Sequence, residues 1–238
     1  MRRGVSPAEA LALALLPAAM VGSAALGCRG TGLWVLLTAL LGVVPFFAAL
    51  ERERPKAREV LPVVVLAALA AGSRVLFAPF PNVKPMSAII MTAGAALGSR
   101  AGFLTGALAA LASNLFFGQG PWTPLQMYAW GLLGCLAGAL SRRGLFSSRP
   151  WLCLWGVLGG LLYGVILDSW YIAAYVDGPT LLSAGAAYLA GLPGNLAHGL
   201  STAAFLALIC PPWNKQIQRI RKKYGMEEQE ETPSQGEE

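Results

Sequence analysis

Eight apolar stretches leave this chain little choice of architecture. They run Ala10–Gly27, Leu33–Leu50, Val60–Phe80, Met86–Gly98, Ala101–Phe117, Leu125–Leu140, Trp151–Tyr175 and Leu181–Ile209. Most approach the roughly 20 apolar residues that a helix needs to cross a bilayer. They do not alternate apolar with polar residues as membrane-barrel strands do, and helices satisfy their own backbone groups where no water can. With 55% hydrophobic and only 13% charged residues over 238 positions, the predicted fold is all-α, a polytopic membrane helix bundle of about eight transmembrane helices. Met86–Gly98 is short for a full span, Gly98-Ser99-Arg100 predicts a very tight turn, and Pro193 predicts a kink because it removes a backbone donor.

An even helix count with the amino terminus in the cytoplasm puts all of the 18 basic residues except Arg29, Arg74 and Lys84 on the cytoplasmic side. An odd count scrambles that pattern. The net charge of +6 is therefore an orientation signal for a multi-pass cell-membrane protein with both termini cytoplasmic, and gives no support to a nucleic-acid partner. Residues 1–59 read as two N-terminal membrane helices and a cytoplasmic loop. Within 211–238, NKQIQRIRKKYG repeats Ile217, Ile220 and Tyr224 at helical intervals among basic residues, which predicts an amphipathic segment on the anionic leaflet. The closing acidic stretch EEQEETPSQGEE is expected to be disordered.

Arg2 and Arg3 ahead of Ala25-Leu26-Gly27-Cys28 weakly resemble a lipoprotein signal. The next segment is another membrane helix with no exported domain to anchor, so the first helix is expected to be retained. Cys28, Cys135, Cys153 and Cys210 lack paired spacing and read as packing residues, with neither disulfide nor metal site implied. Gly98, Gly102 and Gly106 repeat every four residues, as do Gly156, Gly160 and Gly164, with Gly134 and Gly138 in between. Such faces let helix backbones approach closely in lipid. Ala67 and Ala71, with Ala68 and Gly72, form a similar face on the third helix that suits a partner protein.

The functional signal lies between Asn82 and Gly131. There the turn GQGPWTP sets Gln119, Trp122, Thr123 and Gln126 between Asn114 and Trp130, an arrangement suited to a ligand lid. Aromatic faces offer stacking area, and the glutamines can donate and accept hydrogen bonds. The inferred helix directions carry Arg74, Lys84, Asn114, Gln119, Trp122, Gln126, Trp130, Asp168, Trp170, Tyr171 and Tyr175 into or near the outer half, with Trp170 and Tyr171 suited equally to an aromatic belt. Arg74, about 9 Å from the predicted helix end at Phe80, needs a partner or water, because a charge near the bilayer centre costs at least ~2.5 kcal/mol. Asp168 is the expected partner. Asn195 and His198 share a helix face and are candidates for the cavity floor. The predicted substrate-binding set is thus Arg74, Lys84, Asn114, Gln119, Trp122, Gln126, Trp130, Asp168 and Asn195.

The chain lacks a GxxxxGK phosphate loop, HExxH and GxSxG, and shows no series of membrane carboxylates suited to a proton relay. No enzyme, no cofactor and no self-powered pump is expected.

The third helix with its small-residue face and Arg74, the loop Pro81-Asn82-Val83-Lys84-Pro85, the glycine-punctuated hairpin through Asn114 and the turn GQGPWTP together resemble the substrate-binding S component of an energy-coupling factor (ECF) transporter. The resemblance covers roughly Val60 to Cys210 and implies that residues 60–210 are a six-helix substrate-binding core, to which the first two helices are an addition. It implies capture of a vitamin-like small molecule at the outer face, followed by docking on an ECF transmembrane coupling subunit that carries two ATPase subunits. By match to the family's small-residue motif, Ala67 and Ala71 would contact that subunit. The tryptophan-rich lid looks most like the cobalamin-type branch, with riboflavin or another heterocyclic vitamin as the alternative substrate. A secondary transporter and a non-catalytic membrane assembly protein are the competing classes.

Overall fold

The computed structural model describes residues 4–25, 31–176 and 180–225. Cys28, Arg29 and the acidic tail from Glu227 onward lie outside these residues. Among the described residues eight helices follow one another: α1 (Pro7–Ala25), α2 (Thr31–Glu53), α3 (Ala57–Leu76), α4 (Met86–Leu97), α5 (Ser99–Phe117), α6 (Trp122–Arg142), α7 (Arg149–Tyr175) and α8 (Leu181–Lys223). Among the described residues there is no strand. Five helical segments of the described residues are long and apolar enough to cross a membrane: Val35–Glu53, Ala57–Leu76, Ser99–Phe117, Arg149–Tyr175 and Leu181–Lys223.

The short run before Gly98 is a 12-residue helix, about 18 Å long against a hydrocarbon core of roughly 30 Å. Gly98 alone joins it to α5, with φ 102° and ψ 169°. That backbone conformation is open to glycine and costly for residues with a Cβ, so the chain can reverse there within one residue. The connector 77–85 precedes α4, and the backbone N–H of Lys84 donates to Ser201 Oγ on α8 at 3.1 Å.

The glycine faces predicted from spacing are packing faces. A Cβ on Gly134 would meet Gly102 O at 2.2 Å, and one on Gly160 would meet Gly199 Cα at 2.3 Å, so α5 touches α6 and α7 touches α8 through backbone. The inner face of α3, with Leu66, Ala67 and Ala70, joins α4, α6 and α8 in one apolar core. A second core ties α1 and α2 to α5 and α6, and in it Phe46 stacks on Phe103 at 3.7 Å between centroids.

At the end of the bundle that holds Gly98, Arg100 is 2% exposed and forks onto Glu9 through Nε (2.7 Å) and Nη2 (2.8 Å), while Nη1 reaches Glu53. This ion triad fastens α1 and α2 to the start of α5. The segment NKQIQRIRKK is not a separate surface helix. It continues α8, whose 43 residues extend about 64 Å, well past a bilayer core. The reason is visible in its contacts: Arg221, 6% exposed, and Gln218 both donate to Ala96 O, an orphan carbonyl in the last turn of α4.

Candidate functional site

Helix α3 ends at Leu76, four residues earlier than Phe80, in a stretch where Pro79, Pro81 and Pro85 cannot continue a helix. Arg74 therefore sits in the last helical turn, where a cation is favoured by the helix dipole. It is 8% exposed. Its Nη1 donates to Ser113 Oγ and to Asn114 Oδ1, each at 2.7 Å. Its guanidinium carbon lies 4.6 Å from the Phe117 ring centroid and 4.9 Å from that of Trp130. Bonds from a charged donor contribute about 1.5–3 kcal/mol each and a cation over an aromatic face about 0.5–2 kcal/mol, enough to hold the side chain in one place.

Asp168 is not its partner. That carboxylate accepts a 2.7 Å bond from Asn195 Nδ2, bridging α7 to α8 across the close contact at Gly191. The expected Arg74–Asp168 pair fails because Asn114, one helix over from Arg74, supplies the acceptor first. Asp168 and Asn195 are thus brought together with each other and form a separate pair.

Asn114, fully buried, is the junction of the cluster. Its Nδ2 donates to Gln126 Oε1 at 2.8 Å and to Thr123 Oγ1 at 3.0 Å. Thr123 in turn donates to Gln119 Oε1 at 2.9 Å, and Gln119 Nε2 donates to Leu111 O. Gln119 therefore staples the turn to the end of α5, and the turn residues are held by the same network as Arg74. Trp122 lies at the rim, 37% exposed, folded back over Gly120, where a Cβ would meet its ring at 2.4 Å.

Trp130 is the deep wall, 3% exposed. Its Nε1 donates to Ser87 Oγ at 3.0 Å, and that hydroxyl lies 3.0 Å from His198 Nε2. Tyr163 packs against both rings, 4.5 Å from Trp130 and 5.3 Å from His198 by centroid. His198 thus belongs to the wall through Ser87, while Asn195, expected beside it, serves Asp168.

Lys84, in the connector outside the helices, carries its Nζ 5.3 Å from the same Phe117 centroid that Arg74 faces. The two cations are consequently no more than about 10 Å apart, where like charges at an effective dielectric near 20 repel by at least ~1.5 kcal/mol. Burial first and Arg74 second hold the Lys84 ammonium below the ordinary lysine range. Among the described residues no carboxylate pairs with either cation.

The structure therefore gathers Arg74, Lys84, Asn114, Gln126 and Trp130, ties Gln119 in through Thr123, places Trp122 at the rim and sets Asp168 with Asn195 apart. Ser87, Ser113, Phe117 and Tyr163 complete the cluster and were not singled out by sequence. Ser87 and Ser113 were legible only as lone hydroxyls on otherwise apolar helix faces, one of them next to Asn114.

Ala67 and Ala71, expected on an outward docking stripe, are 4% and 6% exposed, turned into the bundle. The small residues that α3 leaves outward are their neighbours Ala68 and Gly72, flanked by Val64 and Val65. A Cβ at Gly72 would meet nothing within 4 Å.

No curated protein and no solved structure matches the chain. A family model described as "ECF-type riboflavin transporter, S component" matches residues 56–212, about two-thirds of the chain, from the start of α3 to the middle of α8 and so across every residue of the polar cluster. The chain is a member of the S-component family of ECF-type riboflavin transporters.

Proposed function

We propose that this protein captures a flavin vitamin, riboflavin or a close derivative, at the extracellular end of its bundle and delivers it to an ECF coupling module for ATP-driven uptake. The observation that carries the reading is the coincidence of the family match with one polar, aromatic cluster at one end of the helices it covers. Phe117 and Trp122 offer exposed ring faces for a planar heterocycle, backed by Trp130 and Tyr163, and Gln126 with Gln119 offers amides to its edge. Riboflavin, the vitamin in the family's description, replaces the cobalamin-like ligand suggested by the tryptophan-rich turn.

The end carrying Arg100, Arg142 and Arg221 is taken as cytoplasmic on its basic character, which puts the Lys84 end outside and both termini inside. Docking on the coupling subunit is assigned to the outward face of α3 at Ala68 and Gly72, since small residues let a partner helix approach closely. The added α1–α2 hairpin supports this assignment, because it packs on α5, α6 and α7 while α3 packs mainly on α5 and α4.

The test is a titration of the purified chain with riboflavin, following quenching of flavin fluorescence as the isoalloxazine ring stacks on tryptophan. Saturable quenching at one site per chain supports the reading. Absence of saturable binding, in protein shown to be folded, contradicts it.

A further inference from the structure

We propose that the ligand of this site carries a negatively charged group, a phosphate or carboxylate, held between Arg74 and Lys84. The inference rests on the reading above that this cluster is the vitamin site, and narrows it to an anionic ligand. Riboflavin itself is neutral, whereas its 5′-phosphate is not.

The protein shows in another place what its arginine fork does when an anion is present. Arg100 places Nε and Nη2 on the two oxygens of Glu9. Arg74 is 8% exposed, yet only its Nη1 is engaged, by the neutral acceptors Ser113 and Asn114. Among the described residues the same Nε and Nη2 fork on Arg74 donates no hydrogen bond, and Lys84 Nζ has neither hydrogen bond nor ion pair. A planar guanidinium edge with two parallel donors matches carboxylate and phosphate oxygens. A second cation faces the same Phe117 ring, so the site holds two like charges close together. Asp168, the carboxylate expected to neutralise Arg74, accepts from Asn195 instead and pairs with neither cation. A neutral heterocycle would stack on the exposed Phe117 ring without needing either charge, whereas a buried cation such as Arg74 is costly unless something brings the opposite sign.

The experiment compares riboflavin with riboflavin 5′-phosphate on the full chain in lipid nanodiscs, by fluorescence quenching at low and high salt. The phosphate ester should bind at least tenfold more tightly, with the advantage shrinking as salt rises. Lys84→Gln should abolish the advantage and Lys84→Arg should keep it. Equal or tighter binding of riboflavin overturns the anion proposal and leaves the flavin reading standing, as does a preference that survives Lys84→Gln. If neither flavin binds, the flavin reading fails and inorganic phosphate decides the anion. A rise in melting temperature with phosphate, beyond that with chloride at equal ionic strength and absent in Lys84→Gln, supports the proposal; no difference from chloride overturns it.

Discussion

Arg74 Nη1 and Asn114 Oδ1 lie 2.7 Å apart, and the amide nitrogen of the same asparagine donates to Gln126 and Thr123. One buried side chain on α5 thus sets the position of a cation from α3 and of the α6 residues behind the turn. A change at Asn114 should be felt at both.

Asn114→Ala is expected to leave Arg74 and Gln126 each short of a partner, costing about 1–3 kcal/mol of stability and weakening flavin binding at least tenfold. Asn114→Asp should behave differently. It places a carboxylate beside Arg74, so melting temperature should hold or rise while affinity for an anionic flavin falls. Thermal melts and titrations on the two variants check this; unchanged affinity in both would detach Asn114 from the site.

The two faces of α3 should separate in their effects. Ala68→Trp and Gly72→Trp add bulk outward and should retain ligand binding while losing co-purification with a coupling subunit. Ala67→Trp points into the core, where overpacking costs about 1–3 kcal/mol or more, and should impair folding. Co-purification intact in both outward variants would move the docking surface elsewhere.

Gly106 sits against the backbone of the deep wall, where a Cβ would meet Trp130 O at 2.3 Å. Gly106→Ala must therefore shift α6 relative to α5 and carry Trp130 with it. Tryptophan emission should change and flavin affinity should fall more than tenfold, while Gly72→Ala, with open space around it, leaves both unchanged. A Gly106→Ala protein with native emission and affinity would contradict this packing.

Arg100→Gln removes the partner of Glu9, which is 1% exposed. Breaking one side of a buried ion pair costs about 3–5 kcal/mol because the remaining charge stays uncompensated. Protease cleavage in the 54–56 connector should accelerate as α1 and α2 loosen, and adding Glu9→Gln should recover part of the loss. Equal melting temperatures for the wild type and Arg100→Gln would show that the triad does not fasten the hairpin.

The helices were legible because apolar run length is a one-dimensional signal, and the glycine faces because a four-residue period survives without knowledge of the partner. Trp130, Gln126 and Lys84 were legible as polar or aromatic residues out of keeping with their apolar surroundings. Partnership was not. Charge alone pointed Arg74 to Asp168, whereas the end of α3 at Leu76 and the close approach of α5 give it to Asn114. The facing of α3 was off by one residue, about 100° on a helix, which exchanges Ala67 and Ala71 for Ala68 and Gly72. The length of α8 escaped because its apolar run ends at Ile209, while the contacts that carry the helix onward, Gln218 and Arg221 to Ala96, join residues more than a hundred positions apart.

Uptake of labelled riboflavin into proteoliposomes tests the central claim most directly, that this chain captures a vitamin and depends on a partner to move it. The protein alone should bind the label without accumulating it. With an ECF coupling subunit and its two ATPases reconstituted alongside, accumulation should appear and require ATP hydrolysis. Concentrative uptake by the lone chain, driven by a proton or sodium gradient, would contradict the account and make the protein a secondary transporter.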